Sequence, residues 1–89
     1  ASADGMLECA LYFELHPTET PVCFGTTISL TNWTPGSAGF FDVNTGNACG
    51  RVDIIYGASS KTIKAYGYNT CDTANTRRVE RALEVTYGI

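Results

Sequence analysis

Apolar and polar positions alternate with period two through residues 61–68. Thr62, Lys64, Tyr66 and Tyr68 fall on one side of an extended chain, and Ile63, Ala65 and Gly67 on the other, the pattern of a half-buried strand. Residues 51–56 repeat it, with Val52, Ile54 and Tyr56 sharing a side. Between the two runs stands Gly57-Ala58-Ser59-Ser60, a hairpin connection. Residues 69–76 are rich in Asn, Thr and Asp, whose side chains bond their own backbone and favour turns. In residues 77–87 the pattern fits two structures. Val79, Leu83, Val85 and Tyr87 share one parity, interrupted by Arg81, whereas Val79, Ala82, Leu83 and Thr86 would line a helix. The β-branched and aromatic finish Val85-Thr86-Tyr87 favours a strand. The second half thus reads as an antiparallel meander of residues 51–56, 61–68 and 77–87.

The first half is less regular. Leu7, Cys9, Leu11, Phe13 and Leu15 alternate with polar or small residues, as in a strand. Yet Met6, Leu7, Ala10, Leu11 and Leu15 also gather on one helical face, and Ser2 or Asp4 stands where a helix cap is placed. Pro17 ends either element, because the residue before proline is pushed out of the α region. Residues 17–21 read as a linker, 22–33 as a short strand region, 34–39 as a Pro/Gly/Ser turn, and 40–43 as a further strand stopped by Asn44-Thr45-Gly46-Asn47.

The chain of 89 residues is read as a single domain, with residues 1–16, 17–50 and 51–89 as its three parts. A core this small benefits from cross-links. The four cysteines, Cys9, Cys23, Cys49 and Cys71, form no C-x-x-C pair, which argues against a zinc or thioredoxin-like site. Their even number and wide spacing imply two disulfides and an oxidising compartment. Three pairings are open to sequence. The nested one, Cys9–Cys71 with Cys23–Cys49, is expected here, because Cys23 and Cys49 bracket the central region and leave Cys9 to fasten the N-terminal segment to the Cys71 loop. A net charge of −3 and an isoelectric point near 4.8 argue against a nucleic-acid-binding surface. No apolar run approaches the roughly 18 residues that a membrane span requires.

Two stretches carry a resemblance. The last, KTIKAYGYNTCDTANTRRVERALEVTYGI from Lys61, resembles the C-terminal end of minor type IV pilins, the pilin-like pilus-assembly proteins of bacteria. The first, Ala3-Asp4-Gly5-Met6-Leu7-Glu8-Cys9-Ala10-Leu11-Tyr12-Phe13, is similar to the segment that follows their hydrophobic N-terminal helix, particularly in candidate-phyla bacteria. The resemblance implies an α+β fold, with residues 1–16 as the end of a helix packed on an antiparallel sheet, and it decides the N-terminal ambiguity in favour of helix. It also implies a membrane-spanning half of that helix upstream of Ala1 and a non-catalytic role in a surface filament. Its partners would be other pilin subunits and, before assembly, the inner membrane; no cofactor is expected. The alternative is a small secreted, disulfide-stabilised binding module of toxin or inhibitor type.

The residues themselves offer little chemistry. His16 is the one histidine and follows an amphipathic run, where a helix-end role is expected. Glu8 with Glu14, or Glu80 with Glu84, would be the carboxylate pairs for glycoside hydrolysis; solvent-facing charge is the expectation for all four. Arg77, Arg78 and Arg81 form the basic cluster, read as solvated charge countered by Glu80 and Glu84, as an anion or DNA contact, or as a contact to acidic residues of a neighbouring subunit. Trp33 is expected in the core, and Asn32-Trp33-Thr34 matches a glycosylation acceptor pattern incidentally.

Overall fold

The computed structural model describes residues 2–45, 49–72 and 74–88. The chain begins with helix α1 (Ala3–Leu15), continues through a two-residue-per-strand hairpin, β1 (Val22–Cys23) and β2 (Thr26–Thr27), and finishes in β3 (Gly39–Asn44), β4 (Cys49–Tyr56), β5 (Ser60–Tyr68) and β6 (Glu80–Gly88). The last four form one antiparallel sheet in the order β3-β4-β5-β6, so each strand neighbours its successor in sequence. The α+β expectation of a helix on an antiparallel sheet holds in this form, with a helix of 13 residues. The expected stop after β3 lies partly outside the described residues, at positions 46 and 47.

Helix α1 starts where Ser2, in extended conformation, accepts a hydrogen bond from the Gly5 N–H at 3.0 Å. A side-chain oxygen of this kind satisfies one of the amides left bare at a helix start. At the other end His16 Nδ1 donates to the Tyr12 carbonyl at 2.7 Å and its ring stacks on Tyr12. Ala3, Met6, Ala10, Phe13 and Glu14 form the buried stripe, at the spacing of one helical face. Leu15, expected on that face, is 70% exposed. The small Ala3 and Ala10 draw the helix down, so the contact line runs through them rather than through the leucines.

The sheet receives the helix on one face. Phe41 and Val43 of β3, Val52 and Ile54 of β4, and Ile63 and Ala65 of β5 point to it and are buried. Met6 is wholly buried against this layer, and its truncation to alanine is expected to cost about 2–5 kcal/mol. Gly50 in β4 makes the approach possible: a Cβ there would lie 2.8 Å from both Met6 Cγ and Sδ. The region expected as a strand over 22–33 pairs only in its short hairpin. Beyond it Ile28 and Trp33 fill the core from irregular backbone, and Trp33 meets the Phe41 ring at 4.7 Å.

The cysteine pairing differs from the expected nesting. Cys9 of α1 bonds Cys23 of β1, with Cα atoms 6.0 Å apart, and Cys49 and Cys71 are thiols. The linker 17–21 folds the hairpin back on the helix, and that turn brings Cys23 to Cys9; Cys71 lies in the turn after β5, whose last residue, Tyr68, pairs with Cys49 at the start of β4. Closing a loop this short contributes about 3 kcal/mol in the chain-entropy account.

One carboxylate sits inside. Glu14 is 6% exposed, contrary to the expectation of solvent-facing charge. It accepts hydrogen bonds from Trp33 Nε1 at 3.0 Å, the Gly36 N–H at 3.1 Å and Lys61 Nζ at 3.0 Å, with Tyr56 Oη at 3.5 Å. Burial acts to lower the Lys61 pKa, but its bonds to Tyr56 and Glu14 and the Glu14 charge outweigh it, so the net shift is upward. The acid therefore ties together the helix, the Trp33–Gly36 segment and β5.

Candidate interaction surface

The helix covers the sheet unevenly. In β6 the parity facing α1 runs Arg81, Leu83, Val85, Tyr87, paired with Gly67, Ala65, Ile63 and Lys61. Val85 and Tyr87 are half-buried, whereas Arg81 and Leu83 are exposed. A groove of about 790 Å³ opens there, lined by the helix start at Ser2, Ala3 and Asp4 and by Gly67, Val79, Arg81 and Leu83. Asn69 holds its mouth: its Oδ1 accepts the Val79 N–H at 2.6 Å, its N–H donates to the Val79 carbonyl at 3.2 Å, and its Nδ2 donates to the Arg77 carbonyl at 2.8 Å. Val79 is pinned at the surface while half its area remains exposed.

A second exposed apolar area lies on the outer side of α1, where Tyr12, Val22 and Phe24 border a shallow hollow of about 530 Å³ with Gly5, Glu8 and the Cys9–Cys23 bond. The hairpin β1–β2 turns through Phe24 and Gly25, at φ of 54° and 74°. Two left-handed residues make the turn that matches strand twist, but asparagine or glycine suits the first position and phenylalanine is strained there. The Phe24 ring, 43% exposed, lies over the helix at Gly5, where an added Cβ would come within 2.7 Å of Phe24 Cζ. Glu19 stands beside Tyr12; its hydrogen bond, then burial and its charge, push the phenol pKa up.

The three arginines sit in different settings. Arg77 is exposed in the turn before β6, its N–H bonded to Asn75 Oδ1 at 2.8 Å. Arg78 is half-buried, its guanidinium 3.9 Å from the Tyr68 ring centre and its Nε donating to the Thr70 carbonyl at 3.3 Å. Arg81 alone lines the groove. The carboxylate pairs also separate: Glu8 is exposed and Glu14 buried, while Glu80 and Glu84 lie exposed on the sheet face away from the helix. Among the described residues no three His, Cys, Asp or Glu side chains gather as metal ligands, and no helix is long and apolar enough to cross a membrane.

Sequence reasoning missed Phe24 and the charge division of the chain. Every Lys and Arg lies at or beyond Arg51, so the helix, the linker after it and the hairpin carry only acidic charge, at Asp4, Glu8 and Glu19 among the exposed groups. That asymmetry was legible in the sequence. The left-handed turn was legible only as Phe-Gly between two short runs.

No family model matches the chain, and no curated protein or solved structure matches it either.

Proposed function

We propose that this chain is the packing domain of a minor-pilin-like subunit, which acts without catalysis through contacts with other subunits of a type IV pilus-like surface filament. The observation that carries the contact role is Phe24. A left-handed backbone at a bulky residue points to a site, and here that residue presents a partly exposed aromatic ring next in sequence to the Cys9–Cys23 bond. The acidic helix face and the basic turn before β6 add charge complementarity between copies, which selects partners and register. The filament identity rests on the resemblance of residues 3–13 and 61–89, and the helix laid on an antiparallel meander agrees with it. Under this reading a helix upstream of Ala1 anchors the subunit in the inner membrane before assembly, and the domain works at the cell surface, an oxidising setting that suits a disulfide.

The test is deletion of the gene in its host, with surface filaments counted and measured by electron microscopy. Filament loss, restored by the wild-type gene and not by Phe24→Ser or Arg81→Glu at equal protein level, is the expected result. Unchanged filament number and length in the deletion strain would overturn the reading and favour the secreted binding module.

A further inference from the structure

Two thiols remain outside the Cys9–Cys23 bond, and the fold places them together. Cys49 opens β4 and is paired in register with Tyr68, where β5 ends. The chain then turns through Asn69 and Thr70 to Cys71. That turn is ordered without any covalent link: Asn69 grips Val79 and Arg77, Thr70 Oγ1 accepts the Asp72 N–H at 3.2 Å, and the Thr70 carbonyl accepts Arg78 Nε. The result returns the Cys71 side chain to Cys49, within hydrogen-bonding reach, with both residues half-buried. Burial, followed by the bond to Cys71, pushes the Cys49 thiol up, while Arg78 acts against the shift. Asn69, Thr70 and Arg78 hold the turn that leads from the Cys49–Tyr68 register pair to Cys71.

We propose that Cys49 and Cys71 close into a second disulfide, joining the start of β4 to the β5–β6 loop. The oxidant is a disulfide, reached by thiol–disulfide exchange. One cysteine, as thiolate, attacks a sulfur of the oxidant. A mixed disulfide forms and one oxidant thiol leaves. The second cysteine then attacks its neighbour's sulfur in the mixed disulfide. The internal S–S bond forms and the other oxidant thiol leaves. Two electrons pass to the oxidant, and the two protons lost by Cys49 and Cys71 end on its two thiols. Closure adds a covalent tie between the start of β4 and the loop that carries Arg77 and Arg78. The inference stands on the loop geometry and does not depend on the filament reading.

The experiment uses the whole chain with Cys9–Cys23 intact. The native protein is incubated in buffers of graded reduced-to-oxidised glutathione, and separately with an oxidised protein disulfide donor. Remaining thiols are alkylated, and the digest is mapped by mass spectrometry without reduction. The expected product has lost the mass of two hydrogens and yields a Cys49–Cys71 peptide, with either oxidant supporting the proposal. Cys71→Ser should stop the reaction at a mixed disulfide on Cys49, and Cys49→Ser should stop it on Cys71. The oxidised wild type should melt higher than the Cys49→Ser/Cys71→Ser protein. Both thiols remaining alkylatable with both oxidants, or peptides joining Cys9 to Cys71 and Cys23 to Cys49, would overturn it.

Discussion

Glu14 and Lys61 meet at 3.0 Å inside the core, from positions 47 residues apart in the chain. Neither charge has free access to water: side-chain exposure is 0% for Glu14 and 10% for Lys61. Such a pair stabilises little against an apolar substitute, but losing one partner strands the other. Lys61→Met is therefore expected to cost about 3–5 kcal/mol, read as a fall in denaturation midpoint. Lys61→Met with Glu14→Gln should recover part of that loss, because the amide keeps an acceptor for Trp33 and carries no charge. A loss below about 1 kcal/mol, the value of a surface pair, would contradict the buried geometry.

The same pair sets an alkaline limit. The Lys61 pKa is raised in the folded protein, so its contribution is complete below the unfolded value of about 10.4 and declines as pH rises through the folded value. The difference in melting temperature between the wild type and the Lys61→Met/Glu14→Gln protein should shrink from pH ~10.4 upward. A difference that stays constant through that range would remove Lys61 as the cause.

Phe24 predicts a gain of stability at the expense of function. Glycine adopts the left-handed conformation without strain, so Phe24→Gly should relieve about 1 kcal/mol net, less than the full strain because glycine also loosens the unfolded chain. For a domain of this size that is a rise in melting temperature of about 4–8 °C. Under the proposed function the same variant should impair filament assembly. A variant that melts lower would show that the ring's contact over Gly5 outweighs its strain.

The Ser2 cap separates two states of the helix. In the chain as it stands, Ser2→Ala should cost about 1 kcal/mol by baring the Gly5 amide. In a chain carrying the upstream helix that the filament reading expects, residue 2 would lie in a helix interior, where alanine is favoured. The substitution should then be neutral or stabilising. Thermal melts of both forms would decide it.

Tyr87 has a buried hydroxyl with no hydrogen-bond partner among the described residues. Removing an unsatisfied polar atom while keeping the ring should help, so Tyr87→Phe is expected to stabilise by about 1 kcal/mol. Chemical denaturation would check it, and a loss of stability would mean that the hydroxyl finds a partner in solution.

Local periodicity by itself determined the two central strands of the sheet, β4 and β5. Strand parity depends only on neighbouring residues, because successive side chains point to opposite faces. The faces of β4 and β5 and the hairpin between them were therefore legible in residues 51–68, and the strand choice for β6 followed from Val85-Thr86-Tyr87. The same parity marked Lys61 with Ile63 and Ala65, and helical spacing put Glu14 on the face of Ala3, Met6 and Ala10, so the buried pair left a trace that polarity concealed. Residues 6–15 fitted both periods, and the family resemblance, not the pattern, selected the helix there. Tertiary structure decided the rest. It paired Cys9 with Cys23, because the linker's path brings the hairpin to the helix; it turned Leu15 to solvent, because Ala3 and Ala10 set the line of closest approach; and it parted Arg81 from Arg77 and Arg78, because the sheet begins between them. Each of these depends on distances between segments remote in sequence or on the angle at which they pack, and neither quantity is encoded in the periodicity of a single segment.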